Sequence, residues 1–142
     1  MTPAVKRSRT LCEIRLDLPE PPSVNHYYAV VRGRKILSAA GRAYKIAVRA
    51  AYLREFRTTQ VAIAEGPVMV QYVWTRGRKS GDLLNREKAL MDALNGLAFT
   101  DDSQIVECHA YRKDDKGHPG IVVVVARANP SALFPFTEGE QT

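Results

Sequence analysis

The apolar positions change period along the chain, and each change predicts an element. From Leu11 to Leu18 apolar and polar residues alternate, with Cys12, Ile14, Leu16 and Leu18 on one side, the period of a half-buried strand. Pro19, Pro21 and Pro22 end it and force an extended loop. Tyr28 to Leu37 has an Arg-Gly-Arg centre between apolar ends, read as a loop or hairpin turning at Gly33. Ser38 is positioned to cap a helix over Ala39 to Phe56, whose apolar stripe is Ala43, Ile46, Ala47, Ala50 and Leu53. Gly66-Pro67 breaks the chain before an apolar strand, Val68 to Trp74. A basic, glycine-containing loop, Thr75 to Gly81, follows. A second helix is expected from Leu84 to Leu97, with Leu83, Leu90, Ala93, Leu94 and Leu97 facing the core and Gly96 near its end. Thr100 to Ser103 reads as a turn. Ile105 to Arg112 and Gly120 to Ala128 read as strands joined by the polar loop Lys113 to Pro119. Two main helices and about four strands in this order predict one small α+β domain with a mixed sheet. Residues 11–128 form the domain, 1–10 a flexible basic arm and 129–142 a loosely held tail.

Composition narrows the class. The 142 residues are enough for one domain with its own core, and 45% apolar with 25% charged excludes a wholly disordered chain. The longest apolar runs, such as Ile121 to Ala126, are too short to cross a bilayer, and the basic N-terminus lacks the apolar stretch of a secretory signal. A cytoplasmic protein with no membrane partner is expected. Cys12 and Cys108 read as reduced thiols in strands, and His26, His109 and His118 have no zinc-ligand spacing. The 21 Lys and Arg against 15 Asp and Glu give a net charge of +6. Such an excess favours a polyanion, most often nucleic acid. The cations cluster as Lys6, Arg7 and Arg9, as Arg32, Arg34 and Lys35, and as Arg76, Arg78 and Lys79.

The third cluster runs directly into Gly81-Asp82-Leu83-Leu84-Asn85-Arg86-Glu87-Lys88, followed by Asp92 and by Asp101-Asp102. At 100° per residue Asn85, Lys88, Asp92 and Asn95 share the side of the second helix away from its core stripe. Carboxylates beside a lysine are the groups a metal-assisted phosphodiester hydrolase uses: hard oxygen ligands for Mg²⁺ and a cation for charge on phosphate oxygens. Each acid also has an ordinary reading, Asp82 as a helix cap and Asp101-Asp102 as turn residues. Trp74, next to the basic loop, reads as a core or interface aromatic rather than a base-stacking platform.

Four segments together carry a resemblance. They are Leu18-Pro19-Glu20-Pro21-Pro22-Ser23-Val24-Asn25-His26-Tyr27-Tyr28, then Arg32-Gly33-Arg34 leading to Ser38-Ala39-Ala40-Gly41-Arg42-Ala43-Tyr44. Asp82-Leu83-Leu84-Asn85 with Lys88 and Asp92-Ala93-Leu94 comes next, and Asp101-Asp102-Ser103-Gln104-Ile105-Val106 is last. In this order and spacing, from about Leu16 to Val125, the chain resembles the RusA family of Holliday-junction resolvases. The resemblance implies a homodimeric endonuclease of phage and prophage type, dependent on Mg²⁺ with Mn²⁺ able to substitute. Its substrate would be branched DNA, a four-way junction resolved by paired nicks. It implies Asp82 and Asp102 as metal ligands and catalytic acids and Lys88 as the catalytic lysine. Asn25, Tyr28, Arg32, Arg34, Lys35, Arg76, Arg78, Lys79 and Asn85 would face DNA.

One position departs from the family motif Asp-x-Asp-Asn. Leu84 stands where the second acid belongs, and leucine has no oxygen to offer a metal. Three readings follow: a member that has lost cleavage but still binds junctions, an introduced change that traps an uncleaved state, or a site completed by Glu87 or Asp101. Impaired or absent cleavage is expected. Outside the family, a basic RNA-binding domain shares only the charge.

Overall fold

The computed structural model describes residues 13–129. The basic arm, Leu11, Cys12 and residues 130–142 of the C-terminal tail lie outside the described residues. Strand β1 (Glu13–Leu18) alternates exposed and buried residues at every position, as its period requires. A short helix α1 (Val24–Tyr27) leads into a hairpin of β2 (Tyr28–Val31) and β3 (Arg34–Leu37). Its two-residue turn has positive φ at both Arg32 and Gly33, the geometry that matches the twist of a tight hairpin. Helix α2 spans Ala39–Phe56, and the Ser38 side chain accepts from the Gly41 amide at 3.0 Å. Strand β4 (Val68–Arg76), helix α3 (Glu87–Leu94), β5 (Ile105–Asp114) and β6 (Gly120–Arg127) complete the chain.

The four long strands form one sheet in the order β1-β6-β4-β5. β6 runs antiparallel to both β1 and β4, while β4 and β5 are parallel. A parallel pair needs a crossover, and residues 77–104, with α3, provide it. The mixed α+β domain expected from the pattern is the one observed, with the β2–β3 hairpin as a separate two-stranded ribbon. The core gathers Ile14, Leu16, Val70, Tyr72, Trp74, Val123 and Val125 of the sheet with Val48, Tyr52, Leu90 and Leu94 of the helices.

Two sequence expectations need correction. The apolar stripe of α2 is not the buried one: Gly41, Tyr44, Val48, Ala51 and Tyr52 are buried, while Ile46 is 70% exposed and Ala43 and Ala50 face outward. The tyrosines decide the rotation, because an aromatic ring buries far more area than an alanine. Their hydroxyls also find acceptors, Tyr44 on the Pro19 carbonyl at 3.1 Å and Tyr52 on the Gln60 carbonyl at 2.7 Å. Gly41 belongs on that side because a Cβ there would lie 2.8 Å from the Tyr27 carbonyl oxygen. The second helix is also shorter than Leu84 to Leu97. It begins as a 3-10 turn over Leu83–Arg86 and ends at Leu94. Gly96 then takes a positive φ and donates to the Phe99 carbonyl at 2.7 Å, turning the chain out of the helix. Leu90, Ala93, Leu94 and Leu97 are buried as expected, whereas Leu83 is half-buried.

Candidate functional site

The loop 77–82 leaves β4 and delivers Asp82 to the start of the 3-10 turn. Gly81 permits this with a positive φ, and a Cβ there would press on the Trp74 ring at 3.2 Å. Arg76 holds the loop. Its guanidinium pairs with both oxygens of Asp114 on β5, the second at 3.3 Å, and donates to the Gly81 carbonyl at 3.1 Å. Asp82 lies in the field of Arg76, and its Oδ2 is 3.5 Å from the Asn85 amide nitrogen. Beside this loop a cleft of about 400 Å³ is lined by Glu20, Trp74, Arg76, Arg78, Ser80 and Arg86. Trp74 is fully buried, donates Nε1–H to Glu20 at 2.8 Å and carries Arg86 over its ring, so it is a core aromatic.

Lys88 is the second residue of α3. Asp92, four residues on, holds its ammonium at 3.3 Å. The buried Tyr27 hydroxyl donates to the other Asp92 oxygen at 2.9 Å. Hydrogen bonding and charge from Asp92 raise the Lys88 pKa, with smaller contributions from Tyr28 and Asp102. Burial and then Asp92 push the Tyr27 phenol far above its ordinary value. Lys88 is therefore a fixed cation, and Asp102 is within its field.

The other named residues are distributed as follows. Asn25 is exposed on α1. Tyr28 is half-buried, edge-on to Tyr27 at 4.8 Å and beneath Lys35 at 4.3 Å. Arg32, Arg34 and Lys35 are exposed on the hairpin, and Arg78 and Lys79 on the loop before Asp82. Arg76 is the exception among the expected DNA contacts, since Asp114 neutralises it.

The resemblance implies a magnesium ion at Asp82, Asp102 and the position of Leu84. The residues present do not fit such an ion. Leu84 is 68% exposed and offers no oxygen. Among the described residues no three His, Cys, Asp or Glu side chains form a metal-holding group. The two carboxylates considered as replacements are engaged elsewhere. Glu87 accepts from the Tyr72 hydroxyl at 2.9 Å and lies 3.6 Å from the Cys108 sulfur. Burial first, then Glu87, pushes the Cys108 thiol up to about 11. Asp101 accepts from the Ser103 amide at 3.1 Å in a capping box closed by Gln104.

Glu20, Arg86 and Asp114, to which the sequence assigned no role, complete the frame with Tyr27, which follows the Pro-rich loop. Glu20, Tyr27, Arg86 and Asp114 act across 65, 54 or 38 residues of chain, beyond the reach of any local period. Asp92 carried a signal, its spacing of four from Lys88.

Two of the frame's carboxyls give a testable pH dependence. Arg76 lowers the pKa of Asp114, and hydrogen bonds from Ser103 lower that of Asp101. Depressed folded values mean that the stability they add is complete above the ordinary carboxylate range and is lost as pH falls through the folded values. The melting temperature should fall with acid below pH 4. D114N and D101N should lower it at pH 7 and flatten its acid limb, as read by thermal scans from pH 7 to 2.

The profile described as Endodeoxyribonuclease RusA matches residues 19–126. The chain is 36% identical over 94 residues to a crossover junction endodeoxyribonuclease RusA of Shigella sonnei (strain Ss046), covering 65% of this chain and 76% of that protein. It is 37% identical over 94 residues to the protein of the same name from Escherichia coli (strain K12), with the same coverage. The counterpart from Enterobacteria phage 82 matches to the same extent.

Proposed function

The chain belongs to the RusA endodeoxyribonuclease family, and on that premise we propose that it recognises four-way DNA junctions as a homodimer and is impaired in cutting them. The observation that carries the reading is Lys88 paired with Asp92, which the Tyr27 hydroxyl anchors, with Asp102 in the field of Lys88, four residues after a leucine where the family motif has an acid. Relatives at 36–37% identity are named as crossover junction endodeoxyribonucleases. Two opposed strands of a junction are met by two sites related by a two-fold axis, which is the basis for the dimer.

In this reading the chain's own groups do most of the positioning. Arg32, Arg34, Lys35, Arg78 and Lys79 hold backbone phosphates, and Asn25 and Tyr28 line the approach. Lys88, kept protonated and oriented, stabilises charge on the oxygens of the phosphate presented to it. Asp82 and Asp102 are the acids of the hydrolytic centre, with Asn85 orienting Asp82. Family nucleases of this kind use a divalent cation, Mg²⁺ or Mn²⁺. Here the carboxylate set for it is incomplete, so the conclusion is a junction-binding protein with little cleavage.

A competition assay without divalent metal tests the binding half. A labelled four-way junction should be retained against unlabelled linear duplex of the same sequence by at least about tenfold, a small part of the usual margin of specific over non-specific DNA binding. Equal competition by linear duplex would overturn the reading. Preferential competition by structured RNA would favour the RNA-binding alternative.

A further inference from the structure

The β2–β3 hairpin leaves apolar side chains where nothing in the described fold covers them. Val30 is 76% exposed, Val31 47% and Ile36 42%. A two-stranded ribbon has little stability of its own, so uncovered valines on one point to a partner. Strand pairing sets Val30 opposite Lys35 and Val31 opposite Arg34. Cross-strand partners share a face, so each face of the ribbon presents an apolar residue beside a cation. Arg32 adds a third cation at the turn, and residues 28–37 contain no carboxylate.

The root of the ribbon is fixed to the candidate site. Tyr27, immediately before β2, is fully buried and bonded to Asp92, the residue that holds Lys88. At the other end, the Ser38 amide donates to the Tyr27 carbonyl at 2.9 Å, and the Ser38 hydroxyl donates to the His26 carbonyl at 2.6 Å. Tyr28 contributes to the field at Lys88. A strand of four residues extends about 13 Å, so the ribbon carries Arg32 and Arg34 at the end away from the Lys88 neighbourhood, while the Lys35 ammonium lies back over the Tyr28 ring at 4.3 Å.

We propose that this hairpin is a wedge that enters branched DNA at the crossover, with Val30, Val31 and Ile36 against unstacked bases and Arg32, Arg34 and Lys35 on the flanking phosphates. The inference rests on the junction-binding reading and goes beyond it by naming the element that opens the branch. Apolar side chains set between base steps unstack them, and unstacking costs least where the stack is already interrupted. Charge selects DNA over a second copy of the chain as occupant. An isologous contact through this ribbon would set three cations against three cations, whereas DNA supplies the counter-charge.

The test uses a four-way junction carrying 2-aminopurine at the branch point. Its fluorescence rises when that base loses its stacking partners. The full chain should raise it several-fold on binding, and a linear duplex with the same base should show no rise. V30S/V31S/I36S keeps every cation, so at protein concentrations that saturate the junction at low salt it should lose most of the fluorescence rise. V30S alone, at the most exposed position, should lose part of it. Three results would overturn the wedge: a full rise with the triple variant, no rise with the unaltered chain bound to the junction, or a triple variant that changes from dimer to monomer in sedimentation, which would make the ribbon a contact between copies. Failure of the unaltered chain to prefer the junction over duplex would overturn the junction reading itself, and the wedge with it.

Discussion

L84D should convert a chain that binds junctions into one that cuts them. An aspartate at position 84 restores the motif Asp-x-Asp-Asn at an exposed position of the 3-10 turn, two residues from Asp82. Leu84 buries little, so the change should cost little stability. The effect on chemistry is far larger. A correctly held divalent cation contributes several kcal/mol of charge stabilisation to phosphodiester hydrolysis, and each 1.36 kcal/mol is tenfold in rate. Junction cleavage with Mg²⁺ should therefore rise by about a thousandfold on those constants. Denaturing gels of a junction labelled on each strand in turn would read it, with paired nicks on opposed strands as the expected product. L84N, which has an oxygen without the charge, should recover less. Cleavage by the unaltered chain at the rate of L84D would show that position 84 is not a ligand position.

The second large effect is on salt. Arg32, Arg34, Lys35, Arg78 and Lys79 are exposed and available to phosphates, while Arg76 is neutralised by Asp114 and should add little. Five phosphate contacts give a slope of log K on log salt of about −4.5 per protomer, or about a 500-fold loss of affinity between 50 and 200 mM salt. Replacing the three hairpin cations by alanine should reduce the steepness by about 2.7. R76A should leave the slope nearly unchanged and instead loosen the loop, since it strands Asp114 and frees the Gly81 carbonyl. Filter binding across that salt range separates the two outcomes. A slope that is flat, or that falls as much for R76A as for a hairpin cation, would contradict the assignment.

Local chemistry made much of this legible. Ser38 marks the start of α2, and its bond to the Gly41 amide puts the boundary where the cap rule expects it. Alternation marks the end of β1 at Leu18, its expected start at Leu11 lying outside the described residues, and the Arg-Gly pair marks the hairpin turn. What failed is also physical. The stripe of Ala43, Ile46, Ala47, Ala50 and Leu53 has the right period for a buried face, but period does not weigh side-chain size, and Tyr44 and Tyr52 won the core. At the candidate site, the wheel placed Lys88 and Asp92 together because their coupling is local. It could not pair Tyr27 with Asp92, Trp74 with Glu20 or Arg76 with Asp114, because tertiary closure alone brings those residues into contact. In sequence Glu87 lay at the edge of the core stripe, while Asp101 looked available. Each proves to be committed, one to the hydroxyl of Tyr72 and the other to the amide of Ser103.

On the function proposed above, the site is one carboxylate short at position 84. Manganese titration followed by paramagnetic broadening of backbone amides tests it without DNA and without turnover. The unaltered chain should show weak, diffuse broadening at millimolar metal. L84D should bind Mn²⁺ much more tightly, with broadening centred on residues 82, 84 and 102. Tight binding by the unaltered chain at Asp82 and Asp102, or broadening in L84D centred on Asp114 and Asp115 instead, would contradict the account.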